Sequence, residues 1–514
     1  MAAPNLHNHR AVMEDVSTAV LEQPVGTLPA IIQGGMGVAI SDWRLARASA
    51  AAGALGVVSG TALDQVLVRR LQDGDRGGHM RQALDAFPIR ATADRIWERY
   101  YIPGGKDAKA AYATLPLQTL ETNPLLQELC VVANFVEVWL ARQGHTGRVG
   151  INFLEKIQIP HLPSIYGALL AGVDAILMGA GIPLKIPGAI DALVEHAAAT
   201  YPLAVTGSQP GDDTLIRFDP ADVMGATRPA LTRPAFLAIV GSSTLALTLL
   251  RKANGAVNGF VIENPTAGGH NAPPRGKLQL NETGEPIYGE RDKVDLAAFR
   301  GFGVPFWLAG GYGTPEGLQS AQAEGAAGVQ LGTAFALCRE SGLREDYRAK
   351  LIDRVRRGET RVKTDPLASP TGFPFKVAQL PGTISDDAVY ASRARICDLG
   401  YLREAYRTAD GSVGFRCAAE PVSLYVAKGG NVEDTVGRKC ICNALVATAG
   451  HPQIRAGKHL EAGIVTSGDS LGDVAQFLAP GADGYSAADV VRVLTGRERP
   501  SARTASAALP SFAS

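Results

Sequence analysis

Between Pro29 and Leu331 the chain alternates short apolar runs with segments whose apolar residues recur at helical spacing. The first run, Pro29–Met36, reads PAIIQGGM. A helix is predicted over Ser41–Ala52, with Ser41 as N-cap and Gly53 as its stop, and the run Leu55–Ser59 follows at once. This strand–helix–strand rhythm implies parallel strands inside a shell of helices. It breaks from about residue 63 to 147, where amphipathic segments at 63–71 and 125–143 flank Pro103-Gly104-Gly105. That stretch is predicted to be a mostly helical insertion. The rhythm resumes at Arg148–Phe153 and continues through Asp174–Met178, Ala235–Val240, Val257–Ile262, Val304–Ala309 and Gly328–Leu331. Pro202–Thr206 and Thr214–Phe218 also read as strands, but the turn cluster Ser208–Asp213 predicts that they pair as an inserted hairpin. Eight strand–helix units over this length predict an α/β fold, a (β/α)8 TIM barrel with a helical insertion after strand 2 and a C-terminal extension.

The expected organisation is an N-terminal segment 1–24, a barrel 25–345, an extension 346–496 packing on the barrel, and a disordered tail 497–514. No glycine- or serine-rich linker separates barrel from extension, and the join reads as a helix. Charge adds little to this picture. Basic and acidic residues balance at 50 each, so no nucleic-acid partner is indicated. No apolar run reaches the length of a membrane span, so no membrane is expected. The first residues lack a basic segment followed by an apolar one, and six cysteines in 514 residues do not make a disulfide scaffold. A reduced, cytoplasmic setting is the expectation.

Chemistry concentrates at the ends of the predicted strands. Ile262–Gly276, IENPTAGGHNAPPRG, leaves a buried run through Gly268-Gly269, reaches His270, and is stiffened by Pro273-Pro274. An imidazole there is a candidate general acid or base, and a loop histidine bonded to backbone is the bland alternative. Glycine-rich turns also end strands seven and eight, at Gly310-Gly311 and Gly332-Thr333. A barrel's phosphate site is frequently built from those two loops.

PAIIQGGM, GINFL, TAGGHN, LAGGYGTPEGL and GVQLGTAF, in that order, resemble the nitronate monooxygenase family, once called 2-nitropropane dioxygenases. Flavin-dependent enoyl-acyl-carrier reductases share that barrel. The resemblance covers roughly residues 28–340 and implies FMN bound without a covalent link at the C-terminal mouth. It implies backbone at Gly35 and Met36 beside the isoalloxazine ring, Asn152 hydrogen-bonding the flavin, and Gly268 and Gly269 close to the cofactor. Gly310, Gly311, Gly332 and Thr333 would cradle the phosphate, Gln330 would face the ribityl chain, and His270 matches the family's catalytic histidine. The implied activity is an FMN-dependent oxidoreductase oxidising nitronates or nitroalkanes with O2, with His270 as acid–base residue. The alternative is a flavin-dependent enoyl reductase that uses NAD(P)H on carrier-bound acyl chains, and a flavin-binding scaffold is a third reading. The expected partner is thus a small molecule, a nitronate or an acyl chain; a homodimer is left open. Three additions depart from the plain family pattern: the loop running on to about Asp292, the 63–147 insertion and the 360–500 extension.

Two further groups were weighed. Cys397, Cys417, Cys440 and Cys442 are separated by 19, 22 and one residues, which matches no common metal-ligand spacing. They are expected to be small buried hydrophobes or unpaired thiols, and no metal is expected. His7, His9, His79, His145, His161, His196 and His451 are expected at the surface. Lys428, Lys439 and Arg438 are expected in turns.

Overall fold

A computed structural model of the chain describes residues 27–456 and 459–496. The segment 1–24 and the tail 497–514 lie outside the described residues. All eight expected staves are present: β1 Ile31–Gln33, β2 Leu55–Ser59, β3 Val149–Leu154, β4 Ala175–Gly179, β5 Ala235–Val240, β6 Gly259–Glu263, β7 Phe306–Ala309 and β8 Gly328–Leu331. Each pairs in parallel with its neighbours in the chain, and β8 pairs with β1 to close the barrel. The staves are continuous apolar runs because both faces are buried. In β5, Ala235 and Leu237 join the cluster that fills the barrel with Ile32, Val57, Val261 and Trp307. Phe236, Ala238 and Val240 belong instead to the layer between barrel and helices. A buried leucine or phenylalanine contributes about 1.5–3 kcal/mol, so this double layer supplies much of the stability that holds the mouth rigid.

The first barrel helix, Trp43–Ala51, starts one residue later than its sequence suggests. Asp42 is the N-cap, accepting from the amides of Arg44 and Leu45. Ser41 serves the preceding loop: its hydroxyl donates to the Gly34 carbonyl at 3.1 Å and accepts from the Met36 amide at 3.1 Å. The carboxylate was available for the cap, and the smaller hydroxyl was free to hold the QGGM turn.

The insertion is helical, with Leu63–Gln72, His79–Asp85, Arg90–Tyr100 and Pro124–Ala141. The last is not amphipathic. Thirteen of its 18 residues are buried, because it lies between barrel helices Trp43–Ala51 and His161–Leu170 on one side and the insertion's own helices on the other. By length and composition alone it could cross a membrane, contrary to the expectation that no segment could; in the fold it is mostly buried in protein.

The hairpin before β5 exists, but its arms are Ala199–Pro202 and Leu215–Phe218. Val205–Thr206, expected in the first arm, pairs in parallel with Glu404–Arg407 of the extension. The helix before the hairpin, Ile186–Val194, ends short of that first arm. A second such graft matters more. Val362–Asp365 and Phe375–Ala378 form an antiparallel pair, and Gly269–His270, from the loop after β6, adds a third strand. The extension thus covers the barrel by continuing sheets whose third strands come from barrel loops, which satisfies backbone groups that would otherwise be left at an edge.

Candidate active site

A cavity of about 220 Å³ opens at the C-terminal ends of the staves. Gly35, Met36, Asn152, Gly268, Gly269, His270, Gly310, Gly311, Gln330, Gly332 and Thr333 all line it. Residues spread over nearly 300 positions meet there because parallel staves deliver their ends to one face.

A flavin mononucleotide is the group that the sequence resemblance implies for this cavity. The Asn152 Oδ1 and Gln330 Oε1 atoms are buried with no hydrogen-bond partner in the protein. Buried polar atoms are rarely left unpaired, and both face the cavity, where donors on a ring and hydroxyls on a ribityl chain would satisfy them. Asn152 reaches this position only because residue 35 is glycine: a Cβ there would sit 1.9 Å from Asn152 Oδ1. Gly310 and Gly311 turn the chain after β7 with φ of +90° and +85°, a region costly for other residues. Thr333 Oγ1 accepts from the Gly468 amide at 2.9 Å, which leaves its own proton to donate. No lysine or arginine lines the cavity among the described residues, so a phosphate would depend on amides and hydroxyls. The donor set fits the group.

Gly268 has a different reason from the one expected. A Cβ on it would meet the backbone of Ser467 and Gly468 at 2.8 Å, so its bareness admits the extension. Gly269, at φ +86°, sets the bend that carries His270 into the extension's sheet.

His270 is held by that extension. Its Nε2 lies 2.7 Å from Ser369 Oγ and its ring centroid 4.7 Å from that of Phe375. Ser369 is fully buried, bonds Thr371 Oγ1 at 2.8 Å, and accepts at its carbonyl from Arg438 Nη1 at 2.6 Å. Burial, helped by the nearby charge of Lys156, lowers the imidazole's pKa to about 3. This imidazole is therefore neutral across the physiological range. Replacing Ser369 by Ala should free the ring at the cost of one hydrogen bond, about 1 kcal/mol. The expected result is a five- to tenfold (roughly, by the same conversion) fall in turnover with unchanged flavin content, restored by Ser369→Thr; steady-state kinetics and flavin absorbance check it.

Glu263, the last residue of β6, is a site residue the motifs did not flag. It lines the cavity, and burial raises its pKa to about 8. A carboxylic acid ending an otherwise apolar strand was a legible signal. At pH 7 the side chain is protonated and does not repel an anionic ligand. As pH rises through about 8 it ionises, so FMN affinity should fall there, and Glu263→Gln should remove that dependence. The folded state also holds this proton above the pKa of an unfolded glutamate. Linkage therefore predicts stability lost between the ordinary carboxyl range and about pH 8 in the wild type and kept in the variant. Flavin titration and thermal melts at pH 6, 7, 8 and 9 (roughly the window set by these values) test both.

The cysteines largely keep their expected packing, and the histidines do not keep theirs. Cys417 and Cys440 pack with Ala419 and Cys397 in a small apolar cluster, while Cys442 lines the cavity beside Ile441 and Leu445. Arg438 holds the Leu367 and Ser369 carbonyls, and Lys428 pairs with Glu420. Of the histidines expected at the surface, His7 and His9 lie outside the described residues. None of the other five is exposed. His161 is the most buried, with Nε2 2.9 Å from the Glu155 carbonyl and a pKa lowered to about 4 by burial.

The fold and cavity define a (β/α)8 barrel with a ligand site at the C-terminal mouth. Residues 229–365 match the nitronate monooxygenase family, and the chain is related to that family through this stretch, which contains TAGGHN, LAGGYGTPEGL and GVQLGTAF. A nitronate monooxygenase of Pseudomonas aeruginosa is 36% identical over 122 residues, which are 24% of this chain and 33% of that protein. The match thus spans about a third of the relative's length. Among solved structures, FabK from Thermotoga maritima is 15% identical, with a TM-score of 0.45, over 91% of this chain and 92% of that one. A nitroalkane oxidase from Streptomyces ansochromogenes is 15% identical, with a TM-score of 0.44, over 91% and 95%. The enoyl reductase domain of MlnA from Bacillus amyloliquefaciens is 11% identical, with a TM-score of 0.41, over 91% and 93%.

Proposed function

We propose that this protein is an FMN-dependent oxidoreductase that oxidises nitronates or nitroalkanes with O2. The observation that carries the reading is the pair of buried, unpartnered atoms, Asn152 Oδ1 and Gln330 Oε1, in a cavity that glycine turns and Thr333 also line. Gly310, Gly311, Gly332 and Thr333 would hold a single phosphate. Gly35, Met36, Gly268 and Gly269 would border the ring, and Gln330 the ribityl chain. The bound flavin would supply the electron transfer.

His270 is proposed as the acid–base residue, acting from its neutral form. A neutral imidazole hydrogen-bonds an anionic nitronate without a prior change of charge. The same depressed pKa makes it a weak base toward a neutral nitroalkane. Ser369 and Phe375 fix where the ring points, so the barrel 25–345 and the extension 346–496 are proposed to form one catalytic unit.

A second reading, a flavin-dependent enoyl reductase that uses NAD(P)H on carrier-bound acyl chains, is favoured by one feature. The extension lines the cavity with Leu402, Ile441, Leu445, Val474 and Phe477, an apolar wall suited to an alkyl chain. Anaerobic reduction of the purified flavoprotein separates the two. Bleaching by ethyl nitronate and not by NADPH supports the first reading; rapid bleaching by NADPH supports the second and overturns the first. Extraction of FAD in place of FMN would overturn the cofactor assignment.

A further inference from the structure

Beside the main cavity lies a side pocket of about 20 Å³, shared between the barrel, the insertion and the extension. Tyr401, from the extension, lines both spaces. Its hydroxyl donates to Asp64 Oδ1 at 2.5 Å; Asp64 belongs to the insertion helix Leu63–Gln72 and lines only the side pocket. Asp64 is 4% exposed and forms no ion pair among the described residues. Its neighbours are a poor substitute for a cation. The backbone amides of Gln65 and Asp64 reach the carboxylate, Cys130 Sγ, on the helix Pro124–Ala141, donates to Oδ2 at a long 3.9 Å, and the Gln118 amide adds a weaker contact. Tyr100, on the helix Arg90–Tyr100, senses Asp64 from further away. His161, across the pocket, is held neutral by burial. Arg69, one helical turn on from Asp64, donates instead to the His451 carbonyl, and its charge reaches Tyr401 only at a distance. A buried carboxyl with donors but no counter-charge costs free energy to ionise, and such groups cluster where proton chemistry is done.

We propose that Tyr401 and Asp64 are a second proton-transfer route of the cavity, with Tyr401 as the catalytic residue touching substrate and Asp64 as the positioning and proton-holding residue behind it. The inference rests on the nitroalkane reading, and it concerns the neutral nitroalkane, toward which His270 is a weak base. The bond changes are these. The substrate's α C–H bond breaks and its proton bonds to Tyr401 Oη, while the proton already on Oη passes to Asp64 Oδ1. The products are a nitronate anion and a neutral Asp64, with no net change on Tyr401 and no electron transferred. Burial without a cation raises the Asp64 pKa from its ordinary value, toward the range in which proton exchange is efficient in both directions. The side pocket offers Asp64 a way to return the proton. It has room for about one water molecule, and the Thr61 Oγ1 and Asn134 Oδ1 atoms on its wall are buried without partners.

Exchange of the α-protons of nitroethane with deuterated solvent, followed by proton NMR on the full-length, FMN-loaded chain without oxygen, tests the step apart from oxidation. Wild type is expected to accelerate exchange. Tyr401→Phe, which keeps the ring's packing, and Asp64→Asn should each lose at least about 10²-fold. Tyr401→Phe should lose far more on nitroethane than on preformed ethyl nitronate. Exchange at the wild-type rate in Tyr401→Phe would overturn the proposal, and so would an equal loss on nitronate, which would mark a structural role. Wild type that oxidises nitronate without exchanging nitroethane would sink the relay alone; wild type that does neither would sink the nitroalkane reading. Infrared difference titration of wild type against Asp64→Asn supplies a measurement free of substrate. A carboxyl that titrates like free aspartate, near a pKa of about 3.9, would rule the relay out.

Discussion

Replacement of His270 by Asn is expected to leave FMN content near that of wild type and to cut turnover of ethyl nitronate by about 10²–10³-fold. The two halves of that result have separate causes. Flavin retention follows from the cradle: Asn152, Gln330, the glycine turns and Thr333 do not depend on the imidazole. Loss of turnover follows from position. Gly269 at φ +86° bends the chain so that His270 pairs with Phe375, and Ser369 and the Phe375 ring leave the imidazole one orientation. A donor or acceptor fixed before the substrate arrives costs no reorganisation during reaction, and asparagine is too short to replace it. The imidazole's pKa of about 3 adds a pH signature: the wild-type nitronate rate should show no titration near 6.5, the ordinary histidine value. Full activity in His270→Asn would make His270 a structural residue of the extension's sheet.

Replacement of Gly332 by Val is expected to abolish flavin binding, lowering FMN affinity at least about 100-fold, with the barrel still folded. Affinity changes tenfold per 1.4 kcal/mol, and a β-branched side chain in a phosphate cradle removes contacts worth about 3 kcal/mol. Gly332 is a cleaner probe than Gly311. Gly311 has φ +85°, so any side chain there also strains the backbone. Gly332 has φ of −101°, open to every residue, and the nearest atom to an added Cβ is Met36 Sδ at 3.4 Å. What a valine would fill is the cavity itself. Flavin titration with circular dichroism and a thermal melt checks the result. Normal FMN content in a folded Gly332→Val protein would move the phosphate elsewhere.

Much of the barrel could be read in advance. Staves such as AFLAIV and AILMG are buried on both faces, so they appear as unbroken apolar runs, and parallel pairing in chain order leaves little topological choice. The mouth residues were legible for the same reason. Once the staves are placed, the turn after each one must lie on the shared face, and glycine at Gly35 and Gly310 marks close approach or an unusual backbone angle. Local chemistry at single positions was less secure. Ser41 and Asp42 are both good caps, and which one serves the helix depends on the QGGM loop folding back on Ser41.

Tertiary structure alone decided how the additions meet the site. Ser369 lies 99 residues from His270 and Tyr401 lies 337 from Asp64, separations at which no local pattern carries information. The state of each ionisable group was likewise hidden. A histidine, a glutamate or an aspartate looks the same in sequence whether water reaches it or not. Desolvation by the covering extension and insertion is what leaves His270 and Glu263 neutral and raises the Asp64 pKa. The sequence by itself determined the barrel, its mouth and the residues around it. The packing of two segments brought in from far along the chain determined which of those residues hold a proton.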